Sequence, residues 1–155
     1  MEGIANQIHK SLIKSKKTLA VGESCSGGLL SHLLTSIPGS SEFFLLGVVA
    51  YSNAAKTKIL KVPHSIILRY GAVSKRVAVG MARNIRIIAG ADFGIGITGI
   101  AGPGGKTPGK PVGTVFIAVT SRKKSNCRKF HFKGNRAYIK RVSALSSLQL
   151  LKELF

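Results

Sequence analysis

The spacing of apolar residues changes from one segment of the chain to the next, and these changes mark alternating strands and helices. Short apolar runs bounded by turn-forming residues predict strands at 18–22, 92–98 and 114–120, and a further buried strand that ends near Tyr51. A shorter segment at 127–133 alternates apolar and polar residues, which is also typical of a strand.

Apolar residues at helical spacing predict helices in the remaining segments. The predicted helices cover 2–16, 26–37, 54–61, 64–70, a longer segment that Ser74 caps and Gly90 ends, and a last segment that Asn135 caps. The inward face of the longer helix is predicted to consist of Val77, Met81, Ile85 and Ile88. The inward face of the last helix is predicted to consist of Val142, Leu145, Leu148 and Leu151.

Strands separated by helices, with nearly continuous apolar interiors, indicate a mostly parallel sheet covered by helices on both faces. The last two predicted strands have no helix between them, so we expect an antiparallel hairpin at one side. The predicted fold is a single-domain α/β protein over residues 1–155, a three-layer α/β/α sandwich. Ligands of such sheets bind beyond the carboxyl ends of the strands, where we therefore expect a site.

The composition argues against a membrane-spanning or exported protein. The chain is 45% hydrophobic but has no apolar run long enough to cross a bilayer. Its N-terminal positive charges follow the apolar positions, the reverse of the order in a secretory signal. Cys25 and Cys127 lack the spacing of metal ligands, so we expect two reduced thiols in a cytoplasmic protein.

The charge balance is strongly basic, with 24 Lys and Arg residues against 5 Asp and Glu residues and a net charge of +19. Such a charge attracts polyanions. The basic residues are scattered, however, and no helix-turn-helix, zinc-finger or aromatic RNA-binding pattern accompanies them. A background enrichment in lysine and arginine gives the same composition, so we expect no specific nucleic-acid partner.

The scarcity of acidic residues limits the chemistry of any site. Five carboxylates are too few for a typical magnesium or calcium site, and they make a glycosidase-type pair improbable. The four histidines are spread along the chain, with no helix-spaced pair to bind zinc. We therefore expect chemistry that uses neither a metal nor a cofactor.

The loop after the first strand, "GESCSGG", has both a catalytic and a structural interpretation. Ser24 lies where a strand gives way to a helix, and the N–H groups of a helix N-terminus can hold an oxyanion or a phosphate. Alternatively, Ser24 or Ser26 only caps the helix. Glu23 has its own structural interpretation, as an acid that complements the helix dipole. The residues alone leave both interpretations open.

Two further loops at strand ends carry groups that a simple connection does not need. In "YSNAAK", a crowded and partly desolvated Lys56 would have a lowered pKa and could act as a base, although most single lysines in so basic a chain are solvated. The loop at 98–113 resembles a phosphate cradle, because it contains Gly99, Gly102, Gly104 and Gly105. It is not a Walker A loop, since no GK[ST] follows at the required spacing.

Six sequence blocks together carry a resemblance to a known family. The blocks are "ESCSGGLL", "PGSSEFF", "GVVAYSNAAK", "YGAVSKRVA", "ADFGIGITGIAGPGG" and "KPVGTVFIAV". They resemble, in this order, the carboxy-terminal domain of the competence/damage-inducible CinA family, whose stand-alone members are nicotinamide mononucleotide deamidases. CinA proteins often carry a molybdopterin-binding-like domain in front, which this sequence does not include, so the resemblance implies the deamidase module.

The resemblance implies an amidohydrolase that converts nicotinamide mononucleotide and water to nicotinate mononucleotide and ammonia without a metal. The family's catalytic residues fall at Ser24 as nucleophile, Lys56 as general base and Tyr51 as proton relay or orienting donor. The substrate-binding positions that it implies are Glu23, Ser26, Gly27, Asn53, Thr98, Gly99, Gly102 and Arg136. Of these, Thr98, the glycine loop and Arg136 would hold the ribose phosphate. We expect a homodimer that acts on a small-molecule nucleotide.

The chain departs from the family's usual residues at three positions. Ser26 stands where threonine is more frequent, and Ala54 stands where glutamate is frequent. Asn135 occupies the position of a common aspartate. The last two departures remove negative charge near the implied site.

Overall fold

The computed structural model describes residues 3–155, which form the strands and helices in nearly the predicted order. The strands are β1 (Leu19–Glu23), β2 (Phe44–Val49), β3 (Phe93–Gly99), β4 (Thr114–Thr120) and β5 (Ser125–His131). The helices are α1 (Ile4–Ser15), α2 (Leu29–Thr35), α3 (Asn53–Lys58), α4 (His64–Tyr70), α5 (Lys75–Ala89) and α6 (Arg136–Lys152). A single 3-10 turn, Ser40–Glu42, precedes β2.

The strands form one mixed sheet in the order β2-β1-β3-β4-β5. β1 is parallel to both of its neighbours, and Val21 at its centre is in register with Gly47 on one side and Ile95 on the other. β4 is antiparallel to β3, and β5 is antiparallel to β4. β4 is therefore the one strand that runs against the others, and the predicted hairpin of β4 and β5 is confirmed.

Helices cover both faces of the sheet, so the predicted three-layer sandwich is confirmed. α1, α2 and α6 pack on one face and α5 packs on the other, with α3 and α4 beside it. Ala20 and Val21 are adjacent in β1 but belong to the two different apolar clusters. Successive strand residues point to opposite faces, and both faces of β1 are fully covered.

α5 lies unusually close to β3 because two glycines of that strand face it. A Cβ atom at Gly94 would collide with the carbonyl oxygen of Ala82, and a Cβ atom at Gly96 would collide with the carbonyl oxygen of Ala78. The absence of side chains at these two positions brings the helix backbone down onto the strand.

The predicted ends of α5 and α6 are confirmed by their hydrogen bonds. The Ser74 hydroxyl accepts from the backbone N–H of Val77, and the Asn135 side chain accepts from the N–H of Tyr138. Gly90 adopts the left-handed conformation that ends α5. The predicted start of α1 at residue 2 lies outside the described residues.

The prediction that β2 is buried is wrong, because β2 is an edge strand. Leu45 and Val49 are 46% and 48% exposed, and Gly47 between them is exposed as well. The alternate residues are half-buried against the sheet's neighbouring elements. Apolar residues on both faces of a strand predict that both faces are covered. In β2, the face that carries Leu45 and Val49 is largely exposed.

Three of the predicted inward-facing helix residues are also not buried. Ile88 is 49% exposed on the last turn of α5. In α6, Val142 and Leu145 are half-buried, whereas Ser143 and Ser147 take interior positions. Their hydroxyls donate to backbone carbonyls of the same helix, which satisfies these hydroxyls inside the core.

Candidate active site

A cavity of about 270 Å³ lies at the carboxyl ends of β1 and β3 and the loop that follows β2. Its wall comes from the three loops that the sequence singled out and from the start of α6. Eight of the predicted site residues line it, namely Ser24, Tyr51, Asn53, Lys56, Thr98, Gly99, Gly102 and Arg136. The fold thus brings together residues that lie more than a hundred positions apart in the chain.

Lys56 is the buried cation of this cavity. Its side chain projects from α3 and is only 2% exposed. The one hydrogen bond of its Nζ within the described structure goes to the carbonyl oxygen of Tyr51, at 3.5 Å. Burial lowers the pKa of the Lys56 ammonium, and nearby Cys25 opposes this effect. No carboxylate lies in the described wall of the cavity to hold the ammonium in its charged form.

Ser24 lies directly after β1 and faces the same cavity. Its backbone N–H donates to the carbonyl oxygen of Ile97 at 3.0 Å, which fixes the turn to β3. The residue is 7% exposed, and its hydroxyl makes no hydrogen bond within residues 3–155. Ser24 does not cap α2, whose N-cap is Gly28. Its hydroxyl is therefore available for a substrate.

Glu23 is adjacent to Ser24 in sequence, but its side chain points away from the cavity towards α2. Its carboxylate is fully buried and accepts from the backbone N–H groups of Leu30 and Ser31 at 2.9 and 3.0 Å. It also accepts from the Ser31 hydroxyl at 2.7 Å. Glu23 thus stabilises the N-terminus of α2, in agreement with its dipole interpretation, and it does not line the cavity.

Ser26 and Gly27 do not line the cavity either. They form the wall of a neighbouring depression of about 600 Å³, together with His32 and Lys140. The Ser26 hydroxyl is buried and has no hydrogen-bond partner within the described part of the chain. Arg136 lies between the cavity and this depression, because it belongs to the wall of both.

Arg136 ties the outer rim of the cavity together. Its two terminal nitrogens donate to the carbonyl oxygen of Gly102 and to the Tyr51 hydroxyl, each at 2.7 Å. Tyr51 itself is 59% exposed, so this contact holds a side chain that otherwise projects into solvent. The rim therefore joins the loop after β2 to the loop after β3.

The inner wall includes residues that the sequence analysis did not single out. Ala72 and Val73, just before α5, line the cavity. The Thr98 hydroxyl donates to the carbonyl oxygen of Ala72 at 2.8 Å and so attaches this segment to β3. Small apolar residues between two helices have no reactive group that would mark a site. They also do not follow a predicted strand, which is where a site is expected.

Cys25 is another cavity residue whose position the sequence did not indicate. Its thiol is 5% exposed, and burial raises its pKa to about 12. A thiol with this pKa stays protonated at neutral pH and is a poor nucleophile. The hydroxyl of Ser24 and the amine of Lys56 then remain as the candidate nucleophile and base of the cavity.

The structure offers no group of ligands for a metal within residues 3–155. No three His, Cys, Asp or Glu side chains in this range lie close enough together to hold an ion. Over the same residues, no helix combines the length and the apolar character that a bilayer crossing requires.

Comparison with known proteins identifies the family. The model of the CinA C-terminal domain matches residues 1–155. The chain belongs to the CinA C-terminal domain family. A CinA-like protein from Syntrophotalea carbinolica is 46% identical over 151 residues, which are 97% of this chain and 37% of that protein. The chain thus spans about a third of the length of such CinA relatives.

Solved structures of CinA proteins share the fold. The competence/damage inducible protein CihA from Agrobacterium tumefaciens matches with a TM-score of 0.95 and 33% identity, covering 97% of this chain and 93% of that chain. A CinA superfamily protein from Escherichia coli matches with a TM-score of 0.94 and 33% identity, covering 98% and 88%. The predicted family and fold are confirmed.

The helix caps are kept near two positions where the chain departs from the usual CinA residues. Asn135 still caps α6. Ala54 is exposed in the first turn of α3, a helix that Ser52 caps by accepting from the N–H of Ala55. Neither departure disturbs the helix on which Lys56 or Arg136 lies.

Proposed function

We propose that this CinA domain is a metal-independent amidohydrolase that converts nicotinamide mononucleotide to nicotinate mononucleotide and ammonia. The observation that carries the proposal is the pairing in one cavity of a free serine hydroxyl with a buried lysine that has no acidic partner. Burial lowers the pKa of Lys56 and so favours its neutral form, and a neutral amine can accept a proton and make serine nucleophilic.

In the proposed reaction, Ser24 Oγ attacks the carboxamide carbon of the nicotinamide while Lys56 Nζ takes the hydroxyl proton. The resulting tetrahedral intermediate collapses when Lys56 returns that proton to the amide nitrogen, and ammonia leaves. The acyl-enzyme ester that remains is cleaved by water, whose proton Lys56 accepts. Proton return to Ser24 releases nicotinate mononucleotide and restores the starting state.

The cavity wall also suits the anionic part of a mononucleotide. The loop at 99–105 exposes backbone with few side chains, and glycine-rich backbone allows a phosphate to approach N–H groups closely. Arg136 supplies the positive charge of the rim, and a guanidinium binds phosphate through paired hydrogen bonds. In this proposal Tyr51, whose hydroxyl accepts from Arg136, orients the substrate or relays a proton.

The test is to incubate the purified protein with nicotinamide mononucleotide and to measure both ammonia and nicotinate mononucleotide. We expect the two products in equal amounts. A correctly folded protein that binds the nucleotide but releases no ammonia would instead be a binding module, and the amidohydrolase proposal would be wrong.

A further inference from the structure

Part of the excess positive charge is concentrated in a groove along the outer side of α5. Two neighbouring depressions form this groove and share Val79 and Arg83 in their walls. The first depression, of about 640 Å³, is also lined by Lys61, Lys75 and Arg76.

The second depression, of about 410 Å³, extends the groove to the turn between β4 and β5. Arg86 lines it, followed by three consecutive cations of the turn, Arg122, Lys123 and Lys124. These three side chains are exposed. We call the two depressions together the α5 groove, and eight cations line it.

The α5 groove has almost no counter-charge of its own. No carboxylate of the described chain lines it. Glu23 is buried under α2, and Glu153 pairs with Arg128 at 3.1 Å. Asp92 lies near Arg122 at one end, but its Oδ2 accepts from the backbone N–H and the hydroxyl of Thr18. The groove therefore carries a positive potential that attracts external anions.

One cation of the groove also lacks an acceptor within the protein. Arg86 Nε is buried and has no hydrogen-bond partner among residues 3–155. The neighbouring Thr120 hydroxyl, also in the groove wall, is likewise without a partner. Unpaired buried polar atoms are costly, and an anion oxygen in the groove gives the guanidinium the acceptor that it lacks.

We propose that the α5 groove binds the sugar-phosphate backbone of nucleic acid without regard to sequence. From Lys75 to Arg86 the helix extends about 17 Å, at roughly 1.5 Å per residue. This length spans several successive phosphates of one strand, which rise about 3.4 Å each along the duplex axis. No aromatic side chain lines the groove to stack on bases. A concave channel of this length fits a polymer of phosphates better than a flat lipid surface.

The second depression of the groove and the candidate active site lie at opposite ends of the sheet. Because β4 runs against β3, the turn after β4 lies near the amino end of β3, where Asp92 is close to Arg122. The active-site cavity lies at the carboxyl ends of the parallel strands. Changes in the second depression, which includes Arg83, Lys123 and Lys124, should therefore leave amidase activity unaltered.

The experiment measures binding of a fluorescent DNA duplex by anisotropy over a salt series from about 50 to 200 mM. With all eight cations engaged, we expect log Kobs to fall against log salt with a slope of about −7, at about 0.9 per phosphate contact. The triple variant Arg83→Gln, Lys123→Gln and Lys124→Gln should lower this slope to about −4.5. Two duplexes of unrelated sequence should bind alike.

The matched control removes three cations elsewhere, through Lys14→Gln, Lys16→Gln and Arg141→Gln. Lys14 lies on α1, Lys16 lies just after its carboxyl end and Arg141 lies on α6, and all three are exposed. These helices cover the face of the sheet opposite to α5. The control should keep the wild-type slope, and thermal melting should show that both variants are folded. Equal losses in both variants, no binding at the lowest salt, or selectivity for one duplex would each overturn the proposal. So would binding to phosphatidylserine vesicles without binding to DNA.

Discussion

Replacement of Ser24 by alanine distinguishes a nucleophilic role of this residue from a purely structural one. The Ser24 hydroxyl has no hydrogen bond within the described structure and caps no helix, so its loss should change the free energy of unfolding by less than about 0.5 kcal/mol. For a chain of this size, the melting temperature then shifts by no more than about 2 °C. Turnover should fall by a factor on the order of 10⁴ to 10⁶. This loss corresponds to about 5 to 8 kcal/mol of transition-state stabilisation.

Ser26→Ala is the matched control, because Ser26 lies two positions away and outside the cavity. Its hydroxyl is buried without a partner, so its removal should stabilise the protein by roughly 1 kcal/mol and raise the melting temperature by about 2 to 4 °C. Ammonia release by Ser26→Ala should stay close to the wild-type rate. If Ser24→Ala melts like wild type and still turns over normally, while Ser26→Ala is inactive, the assigned nucleophile is wrong.

Three further predictions concern the base, the helix anchor and metals. Lys56→Met should abolish ammonia release. It should also raise the melting temperature most at pH values below the lowered pKa of Lys56, with a gain that shrinks as pH rises towards the pKa of a free lysine, because only the charged form suffers from burial. In the wild type, turnover should rise with pH as Lys56 becomes neutral, and a flat pH profile would contradict its role as base. Glu23→Gln places an NH₂ group against the donors of Leu30 or Ser31, and chemical denaturation should show a loss of about 3 kcal/mol, whereas an unchanged denaturation midpoint would refute the anchoring role. Exhaustive chelation should leave ammonia release unchanged, and a loss that one divalent ion restores would reveal a metal site.

The sequence predicted the strands that form the centre of the sheet, because both of their faces are covered. β1 and β3 combine apolar runs with clear turn residues, and their bounds differ from the prediction by one residue. β2 has a similar apolar composition, yet Leu45 and Val49 are exposed. The spacing of apolar residues indicates which of them can be buried. The order of the strands in the sheet decides which of them are covered by neighbouring strands and helices.

The sequence predicted the site residues that directly follow a strand. It did not show which neighbours of those residues also face the cavity. Ser24 and Lys56 meet because β1 and β2 are parallel neighbours whose ends coincide. The family resemblance placed Glu23 among the substrate-binding positions, next to Ser24 in the sequence. Alternation along an extended segment sends adjacent side chains to opposite faces, and this rule could have separated the two.

The contact of α5 with Gly94 and Gly96 constrains how the cavity of this protein can evolve or be engineered. The segment before α5 forms the inner wall of the cavity and is bonded to Thr98 of β3, the strand on which the helix rests. The inner wall of the cavity is thus tied to β3, and a displacement of α5 that widened the cavity would break this close packing. A change in the size or shape of the cavity therefore depends on the side chain at Val73 or on the exposed rim at Tyr51.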